Sequence, residues 1–216
     1  MEPALVFVLF AFVVTIFLIW SIRYARKATD NFAQLAIQLG LTPAQPRKTL
    51  GIVWSQPTAT GEIRGRRARL FSYSTGSGKS RTHWCALSID PRQHGGLTIE
   101  ISPQGLGSKI KEIFGTREIA VGEAAFDAKW FIQTNQPEFM QAALIPELRE
   151  RLSASLADAG RMQRPTLKLD SGTLRYSEVG SFGNELCCAR ISGLGEVMSD
   201  FADVAEVFAQ HSLSQN

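Results

Sequence analysis

Residues 3–22, PALVFVLFAFVVTIFLIWSI, carry no charged side chain. A helix rises about 1.5 Å per residue, so this run reaches roughly 30 Å, the thickness of a bilayer core. It predicts a single N-terminal transmembrane helix, with Trp20 and Tyr24 at one interface. A cleaved signal peptide needs a basic start and a small-residue cleavage site. Here the start carries Glu2, and the run ends in the bulky Ile19, Trp20 and Ile22. Arg23, Arg26 and Lys27 follow at once and form the expected membrane flank. By the positive-inside rule they predict an inner-membrane, single-pass protein with its N-terminus outside and its C-terminal domain cytoplasmic. The expected division is an anchor with its flank over 1–27, a juxtamembrane helix and Pro-containing connector over 28–59, and an α+β domain over 60–216.

Beyond the anchor, about 190 residues remain, enough for one domain with a real core. Thr29–Gly40 is expected to be a short amphipathic helix with Phe32, Leu35, Ala36 and Leu39 on one face. Leu41–Pro57, with three prolines, reads as an irregular connector. Thr60–Tyr73, Arg81–Asp90 and Gly96–Ser102 read as strands, and the short turns between them imply antiparallel pairing. Ser108–Phe114 reads as a short helix. Arg117–Thr134 reads as two strands about a turn at Gly122, with Trp130 and Ile132 on one face. Pro137–Ala143 and Pro146–Ala159 read as helices, the second with proline at its start and Gly160 after it. Thr166–Val179 reads as a hairpin turning at Ser171-Gly172, and Leu186–Ile191 as a short strand. Leu194, Val197, Met198, Phe201, Val204, Ala205 and Phe208 recur at steps of three and four, so the chain is expected to close on an amphipathic helix. The fold class is α+β: an antiparallel sheet packed by helices, a pleckstrin-like plan with extra helices in the middle.

Charge is unevenly placed. From Arg23 to Arg81 there are eleven lysines and arginines against two acids; from Thr82 onward there are twelve against seventeen. A basic half next to a bilayer points to anionic lipid headgroups, with Arg47, Lys48, Arg67 and Arg69 as candidate contacts. Alternation along a strand places Arg67 and Arg69 on one side and Arg64 and Arg66 on the other; one pair is expected to face the bilayer and the other to meet the acidic half. No nucleic-acid motif or aromatic platform is evident, so nucleic acid is not an expected partner. An unidentified protein partner is.

Few residues suggest chemistry. Gly76-Ser77-Gly78-Lys79-Ser80 resembles the end of a phosphate-binding loop, but Tyr73 stands where its first glycine belongs. Four arginines fill the stretch that should be a buried strand, and a second strand follows where a helix should open. Cys85, Cys187 and Cys188 make no disulfide framework, and His83, His94 and His211 have no metal-ligand spacing. His83 and Cys85, two apart on a strand, would share a face. Phe126-Asp127 reads as a buried phenylalanine beside a turn-facing, hydrogen-bonded aspartate. No catalytic residue, metal or cofactor is expected. The expected function is a non-catalytic binding or scaffold domain. The alternative is an enzyme: a nucleotide hydrolase using Gly76–Ser80, or a thiol enzyme using Cys85 and His83.

LAIQLGLTPA, GEIRGRRARLFSY and VGEAAFDAKWFIQTNQPEFMQAALIPELRERL carry a resemblance. Leu35-Ala36 with Leu39-Gly40-Leu41, Gly61 with Gly65-Arg66, Phe126-Asp127 with Trp130, and Leu144 with Pro146 and Leu148 match the pattern. The chain resembles a loose group of uncharacterised bacterial membrane-anchored proteins with an F-D-x-x-F-type strand. The resemblance implies a bacterial inner-membrane protein and brings no active site with it.

If Gly76–Ser80 is only a hairpin loop, Lys79→Ala leaves nucleotide binding by the purified protein unchanged. Equilibrium titration with a fluorescent nucleotide checks this, and a loss of binding in the variant would restore the hydrolase reading.

Overall fold

A computed structural model describes residues 3–44, 48–49, 53–54, 56–105 and 117–214, with side chains described from Phe10 onward and not at 48–49 or 53–54. Helix α1 spans Pro3–Gln38 without a break. The short helix expected over 29–40 is the end of α1, and the Thr29 hydroxyl donates to the Ala25 carbonyl at 3.0 Å within it. Gly40, at φ 71°, takes the left-handed conformation that ends the helix. Among the described residues, no helix is long and apolar enough to cross a membrane. This corrects the expected transmembrane helix, single-pass topology and inner-membrane placement. Arg23, Arg26 and Lys27 follow the apolar run on the same helix, which continues to Gln38.

The chain then builds β1 (Leu41–Pro43), a small pair β2 (Lys48–Thr49) and β3 (Val53–Trp54), β4 (Thr58–Ile63), β5 (Arg66–Thr75), β6 (Thr82–Ile89) and β7 (Ile99–Pro103). After β8 (Arg117–Ile119) come α2 (Ala124–Lys129), β9 (Trp130–Thr134), α3 (Pro137–Ala143) and α4 (Pro146–Ser155). The chain closes with β10 (Thr166–Asp170), β11 (Thr173–Val179) and α5 (Glu185–Ser214). Among the described residues, nine strands form one antiparallel sheet in the order β1-β4-β5-β6-β11-β10-β7-β9-β8.

Several expectations change here. The arginine-rich stretch expected as one strand is a hairpin. Arg64 and Gly65 both take positive φ, 49° and 69°, and turn the chain in two residues. Arg117–Thr134 contains the helical turn α2, because the Asp127 carboxylate accepts the Val121 and Gly122 N–H groups at 2.9 and 3.0 Å and folds the segment back. Leu186–Ile191 is the first part of α5, not a strand. The helix expected at Ser108–Phe114 lies outside the described residues.

Helix α5 covers one face of the sheet. Its buried residues, including Ile191, Leu194, Met198, Phe201, Ala205 and Phe208, return at helical spacing and meet Leu70, Leu87, Ile89, Leu174 and Tyr176 in one core. Phe32, Leu35 and Ala36 of α1 join the same core, and Phe32 packs edge-on against Phe182. A buried ion pair pins α5 to β11. Arg190 donates to both oxygens of Glu178 at 2.8 and 2.9 Å, and the Tyr176 hydroxyl donates to the same carboxylate at 2.7 Å. Burial and the adjacent Glu178 charge push the Tyr176 phenol far above its usual range.

The inward arginines of the hairpin meet the polar edge of α5. Arg64 pairs with Glu196 and Asp200. Arg66, 4% exposed, pairs with Asp203 and takes both oxygens of Glu206 at 2.7 and 2.9 Å. The hydrogen bond to Glu206 raises the Arg66 pKa, and Arg66 holds the Glu206 carboxyl below its usual value. Arg66→Met should lower stability by about 2–3 kcal/mol; the full effect of breaking a buried pair is reduced because Asp203 is half exposed. Because the folded pKa of Glu206 is depressed, its contribution is fully present above the unfolded carboxylate pKa and is lost as pH falls through the folded value. Urea melts of both proteins across the acid range should therefore converge as pH drops, and a constant difference would contradict this assignment.

Candidate functional site

The second face of the sheet is open over β4, β5, β6 and β11. Register decides what stands there. Arg69 on β5 and Arg175 on β11 are each paired with Ser88 of β6, so one small residue separates two arginines in a row across three strands. Thr60 and Lys168 extend this row on either side. One pair along β5, Phe71 projects from the same face. The Arg69 guanidinium carbon lies 4.6 Å from its ring centroid and that of Arg175 lies 5.9 Å away.

Tyr73 and Trp84 form the next cross-strand pair, with ring planes only 5° apart and centroids 5.9 Å apart. Trp84 Nε1 donates to Thr75 Oγ1 at 2.8 Å, which fixes the indole. Phe71 and Tyr73 are 5.9 Å apart in turn. The result is a ladder of three rings with arginines at one end. A shallow depression of about 420 Å³ lies at that end, lined by Arg67, Arg69, Phe71, Ser88, Asp90 and Arg175 among others.

Charges on this face are largely matched in pairs. Arg67 lies 3.3 Å from Asp90 and opposite Glu62 in register. Lys168 lies 3.5 Å from Asp170 and 3.8 Å from Glu100. Among the described residues, Arg69 and Arg175 have no carboxylate partner. They are the cations left to act on a ligand.

Of the sequence candidates, Arg67 and Arg69 share this open face, while Arg64 and Arg66 point the other way into the acids of α5. Sequence reasoning missed Arg175, Phe71, Tyr73 and Trp84. Alternation alone would have put Phe71 and Tyr73 on the side of Arg69, but nothing in the sequence showed that Trp84 stands opposite Tyr73 or that β5 and β11 flank the same strand. Lys27 contacts the domain itself, 2.7 Å from Glu185, which raises its pKa. Arg23 and Arg26 are exposed on α1. Arg47 lies outside the described residues, and Lys48 belongs to β2.

The enzymatic alternatives find little geometry. Gly78–Ser80 is a single 3₁₀ turn followed by extended Arg81, so no helix N-terminus faces a phosphate there. His83 shares a sheet face with Cys85, but its Nδ1 is hydrogen-bonded to Ser74 Oγ at 2.9 Å on the exposed end of the strand. Cys85 and Cys187 are buried in the core. Among the described residues, no three of His, Cys, Asp and Glu gather as metal ligands would.

No protein-family model and no curated protein matches the chain. A solved structure does match in fold: the crystal structure of the mycobacterial trehalose monomycolate transport factor A, TtfA. The TM-score is 0.53 at 12% sequence identity, over 83% of this chain and 94% of that one. At that identity the likeness concerns the fold alone.

The hydrogen bond with Cys85, followed by burial, pushes the Cys187 thiol far up. Burial raises Cys188 to about 11. Thiolates are the reactive form, so Cys187 and Cys188 should react slowly in the folded protein, and Cys85 is shielded by its burial. A disulfide reagent such as DTNB should leave Cys85 and Cys187 untouched at neutral pH and reach Cys188 only slowly, while denaturant exposes all three. Fast labelling of Cys85 in the native protein would revive the thiol enzyme.

Proposed function

We propose that the chain is a non-catalytic binding module whose working surface is the open sheet face, and that this face meets anionic lipid headgroups. One observation carries the reading. The arginines of a single hairpin are divided between two jobs: Arg64 and Arg66 are neutralised by α5, whereas Arg69, with Arg175 beside it, faces solvent with no acid partner among the described residues. Tyr73 and Trp84 on the same face suit a water–lipid boundary, where an apolar ring carries a polar tip. The rings stack on one another and on the guanidinium groups, which leaves less free ring surface for nucleobases than a single-strand-binding platform needs. Cys85 and Cys187 lie in the core, and the glycine-rich loop makes no phosphate cradle, which supports a binding role over a catalytic one. The neighbour of this fold is named a transport factor for trehalose monomycolate. A binding role on this scaffold is in keeping with that name, as analogy only.

Each cation near an anionic surface contributes about 1 kcal/mol, and the effect is screened beyond about 10 Å. The full-length protein should therefore bind phosphatidylcholine vesicles containing phosphatidylglycerol better than phosphatidylcholine alone, and salt should remove the difference. Neutral vesicles give the baseline set by the apolar side chains of α1. The double variant Arg69→Glu/Arg175→Glu should lose the charge-dependent part, roughly an order of magnitude or more in affinity. Equal sedimentation with neutral and anionic vesicles would sink the proposal, as would selective displacement by a single-stranded oligonucleotide.

A further inference from the structure

Arg69 and Arg175 flank Ser88 in register, and no carboxylate among the described residues balances either. Adjacent strands are about 4.8 Å apart, so the Cα atoms of Arg69 and Arg175 stand roughly 10 Å apart across Ser88. Both side chains lean toward the Phe71 ring, at 4.6 and 5.9 Å, so their charged ends are no further apart than those two distances together. Cation–π contact holds each planar fork in place and spares it part of the ordering cost of binding. Like charges held this way repel, and an anion between them removes the repulsion. The Ser88 hydroxyl lies at the floor of the row and is nearly buried. Its bond to the Arg69 carbonyl is long, 3.5 Å, so it can turn to donate upward. Asp90 also lines the depression. Its carboxylate is already engaged by the Thr173 hydroxyl at 3.1 Å and by Arg67 at 3.3 Å.

We infer that this notch is a binding site for one phosphate group of a lipid headgroup, gripped by the forks of Arg69 and Arg175 with the Ser88 hydroxyl beneath. A tetrahedral phosphate presents oxygen edges in two directions, so each arginine can take a separate pair of oxygens. A planar carboxylate offers one such edge and satisfies one fork only. A terminal monoester fits best, since it exposes three oxygens and carries more charge than a diester. The headgroup is favoured over a free ion because the depression is shallow and open and is bordered by Phe71, whose ring lies 5.9 Å from that of Tyr73 on the same face. This inference rests on the open face being the lipid-facing surface.

The test uses the full-length chain and three vesicle types: phosphatidylcholine alone, with phosphatidylglycerol (a diester), or with phosphatidic acid (a monoester). The wild type should prefer phosphatidic acid over phosphatidylglycerol by roughly tenfold, with Ser88→Ala reducing this a few-fold. Arg69→Lys/Arg175→Lys keeps both charges and removes both forks. It should retain salt-sensitive binding to anionic vesicles and lose the monoester preference. Both positions are exposed, so an unchanged thermal midpoint confirms that the variant is folded. If the lysine variant keeps the preference, the site is wrong while the anionic-surface reading stands. If no anionic vesicle is preferred over the neutral one, both fall. Inorganic phosphate should compete only weakly; competition as strong as that of phosphatidic acid vesicles would make the ligand a free phosphate and overturn the lipid assignment.

Discussion

The seating of α5 on one face of the sheet is the constraint on which the rest depends. Its apolar stripe needs a hydrophobic surface of matching length, and the inward residues of β5, β6 and β11 supply it. Burial of that stripe is non-directional and would tolerate sliding. The Glu178–Arg190 pair with Tyr176 removes that freedom, because a buried charge must find its one partner or pay several kcal/mol in lost hydration. Arg66 acts in the same way from the hairpin, reaching across to Asp203 and Glu206. Position along and around the helix axis is thus set by polar contacts, while the driving force is apolar.

A helix can cover only one side of a sheet. Once α5 has taken the inner face, the strands that contribute most to the core also present their alternate residues outward. The row Arg69, Ser88, Arg175 exists because β6 lies between β5 and β11. That order brings residue 69 within reach of residue 175, more than a hundred positions away. The same strand order puts Tyr73 opposite Trp84. Site and core are two sides of the same three strands, so the outward arginines are held on a backbone that the inner core makes rigid.

The fold was legible in outline. Long elements with clear period or punctuation were readable: β6, the β10–β11 hairpin, α3, α4 and the stripe of α5. The hydrogen-bonded Asp127 beside a buried Phe126 was readable too, although the α2 turn around it was not. Misreadings came where a local signal competed with a tertiary one. Arg64-Gly65 lacks the Asn-Gly or Asp-Gly signature of a two-residue turn, so the hairpin passed for one strand. Leu186–Ile191 is apolar enough for a strand and joins α5 because Arg190 must reach Glu178. The apolar run at the N-terminus suggested a membrane span, yet the described residues include no helix long and apolar enough to cross.

What the sequence by itself determined is the division of labour within each strand and helix. Alternation separated Arg67 and Arg69 from Arg64 and Arg66, three- and four-residue spacing marked the buried side of α5, and the missing first glycine argued against a phosphate-binding loop. These are local consequences of a period of two or of 3.6. Only the tertiary structure decided which arginines are neutralised and which are free. Neutralisation depends on a carboxylate arriving from a distant segment, and strand order, which brings it, is written in no local pattern. Arg66 finds Glu206 because α5 crosses its side of the sheet. Arg69 meets Arg175 and Phe71 on the other side, where no described helix brings an acid.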